Sequence, residues 1–330
     1  MRKLASVRQV TKTSPIAGAD MIELAIVDGW KCVIKKGEFQ ARDQVIYCEI
    51  DSFLPIKQEF EFLRKSSYKK MGEEEGFRLR TVKLRGQISQ GLLIPVSVLD
   101  RDVELGEDVT EELGIQKYEP PTPACLVGSV IGPFPSSVSK TDEERVQNLT
   151  KEYATYRDKP FYITEKIDGT SFTAIFDGGL AICGRNWQYA EDEKNSYWQM
   201  ANRLALAGKL DSLGRRIAIQ GELVGPGIQG NRYKLKEQAL FVFNVFDLEQ
   251  YAYVDKTEAS VICQELEINE VPFLEERTVP ESIDEILDLA EGKSALNTNT
   301  EREGLVWVHG SGPDRISFKT ISNRFLSREK

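Results

Sequence analysis

Apolar and polar residues alternate with a period of two through much of residues 4–110, in short runs separated by glycine. Ile22-Glu23-Leu24-Ala25-Ile26, Lys31-Cys32-Val33-Ile34, Val45-Ile46-Tyr47-Cys48, Arg80-Thr81-Val82-Lys83-Leu84 and Gly91-Leu92-Leu93-Ile94-Pro95 are predicted strands, with turns at Gly29, Gly37, Gly86 and Gly91. That many strands in so short a stretch predict a small closed barrel. Five of the thirteen prolines lie between Glu119 and Pro135, which predicts an extended linker with little regular structure. Thr141 then offers an N-cap and Glu144 the reciprocal residue of a capping box. A helix is expected from there to near Tyr156, with Arg145 in its first turn and Val146 and Leu149 turned inward. Beyond it strands alternate with a few helices. One helix is capped by Asn195 or Ser196 and runs through Leu206, with Tyr197, Met200 and Leu204 on one face and Gly208 as its stop; another spans Asp284 to Ala290 after Pro280-Glu281-Ser282. The pattern predicts an α+β chain in three parts: a barrel over 1–118, a linker over 119–138 and a second domain over 139–330.

Composition narrows the chemistry. With 41% hydrophobic and 29% charged residues, the 330-residue chain reads as an ordinary soluble protein. Met1-Arg2-Lys3-Leu4 leads into polar sequence without the apolar core of a secretory signal, and no membrane span is visible, so an intracellular, cytoplasmic or nuclear, protein is expected. The five cysteines form no Cys-x-x-Cys pair, which excludes a zinc ribbon or disulfide framework. One histidine, His309, read as a loop residue, excludes His-rich metal sites. The net charge of −9 opposes a nucleic-acid partner, but residues 1–118 hold 19 basic and 19 acidic side chains, so the deficit falls on the rest. Eight basic residues crowd positions 64–85 with Tyr68 and Phe77 interleaved, a pattern suited to phosphate contact and base stacking.

The chemistry centres on Thr164-Glu165-Lys166-Ile167-Asp168-Gly169-Thr170-Ser171. Lys-x-Asp-Gly also makes an ordinary hairpin. Here it lies between Phe161-Tyr162-Ile163 and Phe172-Thr173-Ala174-Ile175-Phe176, which puts Lys166 where a buried strand enters a turn. A lysine of ordinary pKa, ~10.4, is neutral about once in a thousand near pH 7.4, so a nucleophilic Lys166 needs a device that deprotonates it. Further on, Gln220-Gly221-Glu222-Leu223 ends a strand with a carboxylate, Leu240-Phe241-Val242-Phe243-Asn244-Val245-Phe246 is an aromatic strand, Arg302-Glu303-Gly304 opens a strand with a second carboxylate, and Arg315-Ile316-Ser317-Phe318-Lys319 ends one with a lysine.

In this order and spacing the elements resemble the collinear motifs of the covalent nucleotidyltransferase superfamily of ligases and capping enzymes. Lys166, Arg185, Glu222, Phe243, Glu303 and Lys319 fall at motifs I, Ia, III, IIIa, IV and V. The run Gly225-Pro226-Gly227-Ile228-Gln229-Gly230-Asn231 is similar to RNA ligases in particular. Pro15-Ile16-Ala17-Gly18-Ala19-Asp20, Val27-Asp28-Gly29-Trp30 and Leu84-Arg85-Gly86-Gln87-Ile88-Ser89-Gln90-Gly91-Leu92 resemble OB modules of the tRNA-binding kind. With Lys140-Thr141-Asp142-Glu143-Glu144-Arg145 at the junction, the chain resembles the fifth clade of RNA ligases, in which an OB-type β-barrel precedes an antiparallel-sheet nucleotidyltransferase domain.

That resemblance implies an ATP-dependent RNA ligase that joins 3′-OH and 5′-phosphate ends, preferably at a duplex nick, with RNA required on the 3′-OH side. It implies Lys166 as the nucleophile, and Mg²⁺ or Mn²⁺ held mostly through water by Asp168, Glu222 and Glu303, donors that suit a hard cation. The cation and Lys319 are expected to depress the Lys166 pKa, and Lys319 to steady the α-phosphate. Arg185 and Arg145 are assigned to phosphates, Phe243 to adenine stacking with Phe246 as alternative, and Glu165 and Ile167 to the nucleotide pocket, Glu165 either selecting the base or solvated. Motif V in many relatives has two lysines one residue apart, whereas Ser317 precedes Lys319 here. A GTP-dependent capping-type enzyme and a catalytically silent nucleic-acid-binding protein are the alternatives. Nothing in the sequence calls for an obligate protein partner.

Overall fold

The computed structural model describes residues 3–122 and 124–328. It divides into two compact units. The first holds the described residues up to Pro121, with Val146–Tyr153 and those from Leu326 onward; the second holds the described residues from Thr122 to Arg145 and Ala154–Phe325.

In the first unit, β1 (Ala5–Pro15), β2 (Ile22–Val27), β3 (Trp30–Lys35), β4 (Gln44–Cys48), β5 (Ser52–Pro55), β6 (Tyr68–Met71), β7 (Glu74–Arg78), β8 (Thr81–Leu84), β9 (Gln87–Gln90), β10 (Leu92–Pro95) and β11 (Gln116–Lys117) follow in order. They form an antiparallel sheet β10-β4-β1-β2-β3, a second sheet β11-β5-β7-β6, and the ribbon β8-β9. The register of β1 against β2 slips between Val10 and Lys12, a bulge that bends the strand. The edge strands β3 and β10 pack on each other, so the large sheet curls back on itself as the expected OB-type barrel does. Val7, Ile46, Cys48, Leu54, Phe60 and Phe77 fill its core.

The basic stretch divides in two. Phe77 is fully buried, Arg64 lies over both the Tyr68 and Phe77 rings, and Lys70 and Arg64 pair with Glu75 and Glu61 at 2.8 and 2.6 Å. The interleaved aromatics expected to meet bases are therefore occupied within the unit itself.

The second unit contains β12 (Val130–Pro133), β13 (Glu144–Arg145), β14 (Phe161–Lys166), β15 (Thr170–Phe176), β16 (Leu180–Cys183), β17 (Trp187–Tyr189), β18 (Ile217–Val224), β19 (Ala239–Asp247), β20 (Ala252–Tyr253), β21 (Phe273–Arg277), β22 (Gly304–His309) and β23 (Ile316–Ile321). Seven strands make the sheet β12-β17-β16-β15-β18-β19-β20, and five make β13-β23-β22-β14-β21, antiparallel except for the parallel pair β13-β23. The helices Ser196–Arg203, Leu206–Leu213 and Lys256–Glu265 contribute Tyr197, Met200, Leu210 and Ile262 to a core with Phe172, Ile219 and Val242 of the larger sheet.

Several local expectations change. Residues 141–156 form no α-helix: Glu144–Arg145 is a strand paired with β23, and Val146–Asn148 and Tyr153–Tyr156 are 3-10 turns. Pairing with a β-strand outcompetes the capping-box signal at Thr141. Asn195 does cap a helix, accepting from the Tyr197 and Trp198 N–H groups, but that helix ends at Arg203. Gly208 lies inside a second helix, which Gly214 stops in the left-handed conformation. Ser282 caps Ile283–Leu289 as expected, through the Glu285 N–H. The proline-rich stretch is not wholly irregular, since Val130–Pro133 pairs with β17. His309 ends β22 rather than lying in a loop, with Nδ1 2.7 Å from the Pro160 carbonyl.

Candidate active site

β14 ends at Lys166 in the smaller sheet, and β15 starts at Thr170 in the larger one. Lys-x-Asp-Gly is thus a crossing between two sheets and not a hairpin. Gly169 permits it: a Cβ there would lie 2.4 Å from the Leu223 carbonyl oxygen, closer than any side chain can sit. Its N–H donates to Glu222 Oε1 at 3.0 Å, tying the crossing to β18.

The crossing gathers three carboxylates round the lysine. Lys166 Nζ donates to Glu303 Oε1 at 2.7 Å, and Glu303 immediately precedes β22, whose Gly304 is opposite Lys166 in register. The fields of Glu222 and Asp168 also reach the ammonium. Burial lowers the Lys166 pKa, but Glu303, Glu222 and Asp168 more than reverse this, and it ends above the ordinary lysine value. Burial, with the neighbouring carboxylates, raises Glu222 to about 8 and Asp168 to about 6, against the pull of Lys166. The carboxylates are the largest charges acting on Lys166. Lys319 Nζ lies 3.3 Å from Asp142 Oδ1.

These carboxylates fit a hard divalent cation. Glu303 Oε2 is buried with no hydrogen-bond partner, and the burial and then the mutual repulsion that lift Asp168 and Glu222 are what a cation would offset. Among the described residues no three His, Cys, Asp or Glu side chains close into a ready metal cage.

The remaining predicted residues take varied places. Arg145 is buried on β13 and opposite Lys319 in register. Arg185 is exposed, with Nη2 3.1 Å from Asp142 Oδ2. One carboxylate, Asp142, therefore spans two cations assigned to phosphate. Ser317, in place of a second motif V lysine, hydrogen bonds to Glu143, which also pairs with Arg315 at 3.0 Å. Ile167 is buried in a cluster with Val224, Tyr233 and Val271, against which Phe241 and Phe243 pack. Glu165 is buried rather than solvated. It accepts from the Ala295 N–H at 2.7 Å, and strand alternation turns it to the face opposite Lys166.

Phe243 owes its position to a bulge. The register of β18 against β19 slips so that Gly221 faces Val242 and Gln220 faces Asn244, leaving Phe243 as the extra residue. Phe246 is 2% exposed and packed edge-on against Tyr251 and Tyr253, which removes it as a nucleotide contact. The bulge is held by Lys256, which donates to the Phe243 carbonyl and to Asn244 Oδ1.

Burial, then the charge of Arg315, push the Lys256 pKa down from 10.5 to about 8. Between these values the unfolded chain binds more protons than the folded one, so stability rises with pH across that window. Relative to Lys256→Met, the wild-type protein is expected to gain about 2 kcal/mol between pH 7 and pH 9.5. Denaturant unfolding of both proteins at the two pH values measures this, and a constant difference would show that Lys256 titrates in the folded protein as it does in the unfolded chain.

Sequence reasoning missed Arg232, Tyr233 and Asp142. Arg232 Nη1 pairs with Asp168 Oδ2 at 3.1 Å, Nη2 donates to the Glu301 carbonyl at 3.0 Å, and the guanidinium covers the Phe325 ring. The Tyr233 hydroxyl accepts from the Asp168 N–H at 2.7 Å. Both directly follow the Gly225–Asn231 run, which was the available signal.

A profile described as an OB-fold domain matches residues 4–96, and one described as RNA ligase matches residues 159–321. No curated protein matches the chain. Among solved structures, a lysine-to-alanine variant of Naegleria gruberi RNA ligase with ATP and Mn is 40% identical with a TM-score of 0.93, covering 98% of each chain. A lysine-to-methionine variant with AMP and Mn is 41% identical, also at 0.93 and 98% of each chain. The same organism's RNA ligase with PPi is 40% identical at 0.92, covering 99% of this chain and 98% of that one. With such identity over nearly the whole of both chains, this protein is a ligase and belongs to the RNA ligase family.

Proposed function

We propose that this protein is an ATP-dependent RNA ligase that seals 3′-OH/5′-phosphate nicks through a lysyl-AMP intermediate, with ATP and Mn²⁺ or Mg²⁺ as cofactors. The observation that carries it is Lys166 at a sheet-to-sheet crossing, held by Glu303 and surrounded by Glu222 and Asp168. In the first step the neutral Lys166 Nζ attacks the α-phosphorus of ATP, a P–N bond forms, the bond to pyrophosphate breaks and the amine gives up its proton. An oxygen of the RNA 5′-phosphate then attacks the same phosphorus, the P–N bond breaks and Lys166 recovers a proton. Finally the 3′-hydroxyl attacks the activated 5′-phosphate and AMP leaves.

Bound at Asp168, Glu222 and Glu303, a divalent cation supplies positive charge that lowers the Lys166 pKa and offsets charge on the phosphates. Glu303 and Gly304 fix the lysine against β22, Arg232 and Tyr233 fix Asp168, and Gly169 fixes Glu222. Lys319 and Arg185, converging on Asp142, offer cations suited to the phosphate and the strand end. Phe243, presented by its bulge beside Ile167, offers a face for adenine.

The test is incubation with nucleotide labelled at the α-phosphate, followed by sealing of nicked duplexes. Covalent label from ATP and not from GTP or NAD, then sealing when the 3′-OH end is RNA, is the expected result. Label from GTP would turn the reading to a capping-type enzyme, and equal sealing of all-DNA nicks would remove the RNA requirement.

A further inference from the structure

In the first half of the basic stretch Arg64 and Lys70 are paired and Glu73, Glu74 and Glu75 offset the charge, whereas the second half contains no acid. From Gly76 to Leu99 the chain has no acidic residue and carries Arg78, Arg80, Lys83 and Arg85, within a protein of net charge −9. Arg78 pairs with Asp51 and covers the Tyr118 ring. Among the described residues Arg80, Lys83 and Arg85 form no ion pair.

Lys83 and Arg85 sit on the β8–β9 ribbon, a two-stranded sheet that pairs with no other strand. Arg85 and Gly86 both have positive φ, 50° and 83°, as the tight two-residue turn at its tip requires. The base is anchored: Thr81, Ser89 and Gln90 are buried, and the Val33 N–H donates to Ser89 Oγ at 2.9 Å. Residues 82–86 are all exposed, including Val82 and Leu84 at 42% and 41% on one face, with Lys83 on the other. A ribbon anchored at its base, bare on both faces at its tip and basic without a counter-charge is built to meet an anion.

We propose that the tip of the β8–β9 ribbon is a nucleic-acid grip, which takes the phosphate backbone of the RNA duplex. No aromatic side chain lies on the ribbon, so base stacking of a single strand has no platform there, whereas Lys83 and Arg85 suit phosphates irrespective of sequence. The β6–β7 hairpin does not share this role, because Glu73, Glu74 and Glu75 match its three cations in number and Lys70 pairs with Glu75 at 2.8 Å. The inference rests on RNA being the substrate.

The test measures binding of a nicked RNA duplex across a salt series, with lysine labelling by ATP alone read on the same preparations. Lys83→Ala/Arg85→Ala is expected to weaken binding at least about tenfold near 0.05 M salt and to reduce the slope of log K against log salt by about 2. Labelling and the unfolding midpoint should match the wild type, because both side chains are exposed. Lys65→Ala/Lys69→Ala, on the other half of the basic stretch, should leave the slope near the wild-type value. An unchanged slope in the ribbon variant, or a larger loss in the Lys65/Lys69 variant, overturns the proposal. Wild-type protein that takes no label counts against the ligase chemistry instead, and the ribbon is then judged on binding alone.

Discussion

Lys166→Arg is expected to fold with near wild-type stability and to take no covalent label from ATP, a loss of at least about a thousandfold in the first step. The guanidinium preserves a cation opposite Glu303, which now accepts from Lys166 at 2.7 Å, so the carboxylate cluster stays compensated. It stays protonated at any pH the protein survives, and therefore offers no lone pair to phosphorus. Lys166→Ala should lose the label equally, but it removes the only cation hydrogen-bonded to Glu303 among the described residues and leaves Glu303, Glu222 and Asp168 to repel one another. The alanine variant should thus be the less stable of the two at neutral pH and recover as acid protonates Asp168, while the arginine variant separates chemistry from packing. Gel detection of label, with unfolding midpoints at pH 5 and pH 7.5, reads both. Label near the wild-type level in either variant would place the nucleophile elsewhere.

The order of the motif residues was legible because apolar runs of period two meet charged residues there, although only Lys166 and Glu303 prove to lie at strand ends, Glu222, Phe243 and Lys319 being inside β18, β19 and β23. Phe161 to Lys166, Gly221-Glu222 and Glu303-Gly304 all read this way in one dimension. What the sequence could not show is which strands share a sheet. Lys-x-Asp-Gly looks like a hairpin until β14 and β15 are found in different sheets. The partners of the motif residues come from equally remote places: Arg232 is 64 positions from Asp168, and Asp142 is 177 from Lys319. No local pattern encodes such pairs.

Local signals failed where tertiary pairing outweighed them. The capping box at Thr141 and Glu144 is sound chemistry for a helix, yet Glu144–Arg145 pairs with β23 and brings Arg145 beside Lys319. The misread segment is thus the one carrying Asp142 and Glu143, which meet four polar side chains around motif V and motif Ia. Tyr68 and Phe77 failed for a different reason: interleaving along the chain does not reveal that one ring is buried and both lie under Arg64.

Glu303→Gln is expected to lower the rate of lysine labelling at least about a hundredfold and to raise the metal concentration needed for half-maximal rate. Two effects of opposite sign compete in this variant. Glu303 is the largest of the charges that hold the Lys166 pKa above its ordinary value, so removing its charge makes the amine easier to deprotonate. The same change leaves a neutral amide in place of a carboxylate whose Oε2 is buried without a partner, and so removes one of the three anionic donors proposed for the cation. The cation acts on both the amine and the phosphates, whereas Glu303 alone restrains only the amine, so loss of the cation should dominate. A pH series decides it. With metal anchoring dominant, labelling by the variant stays below wild type from pH 6 to pH 9, and added metal recovers part of it. Were Glu303 only a restraint on the lysine, the variant would outrun the wild type below pH 7, where neutral amine is scarcest, and its metal dependence would not move.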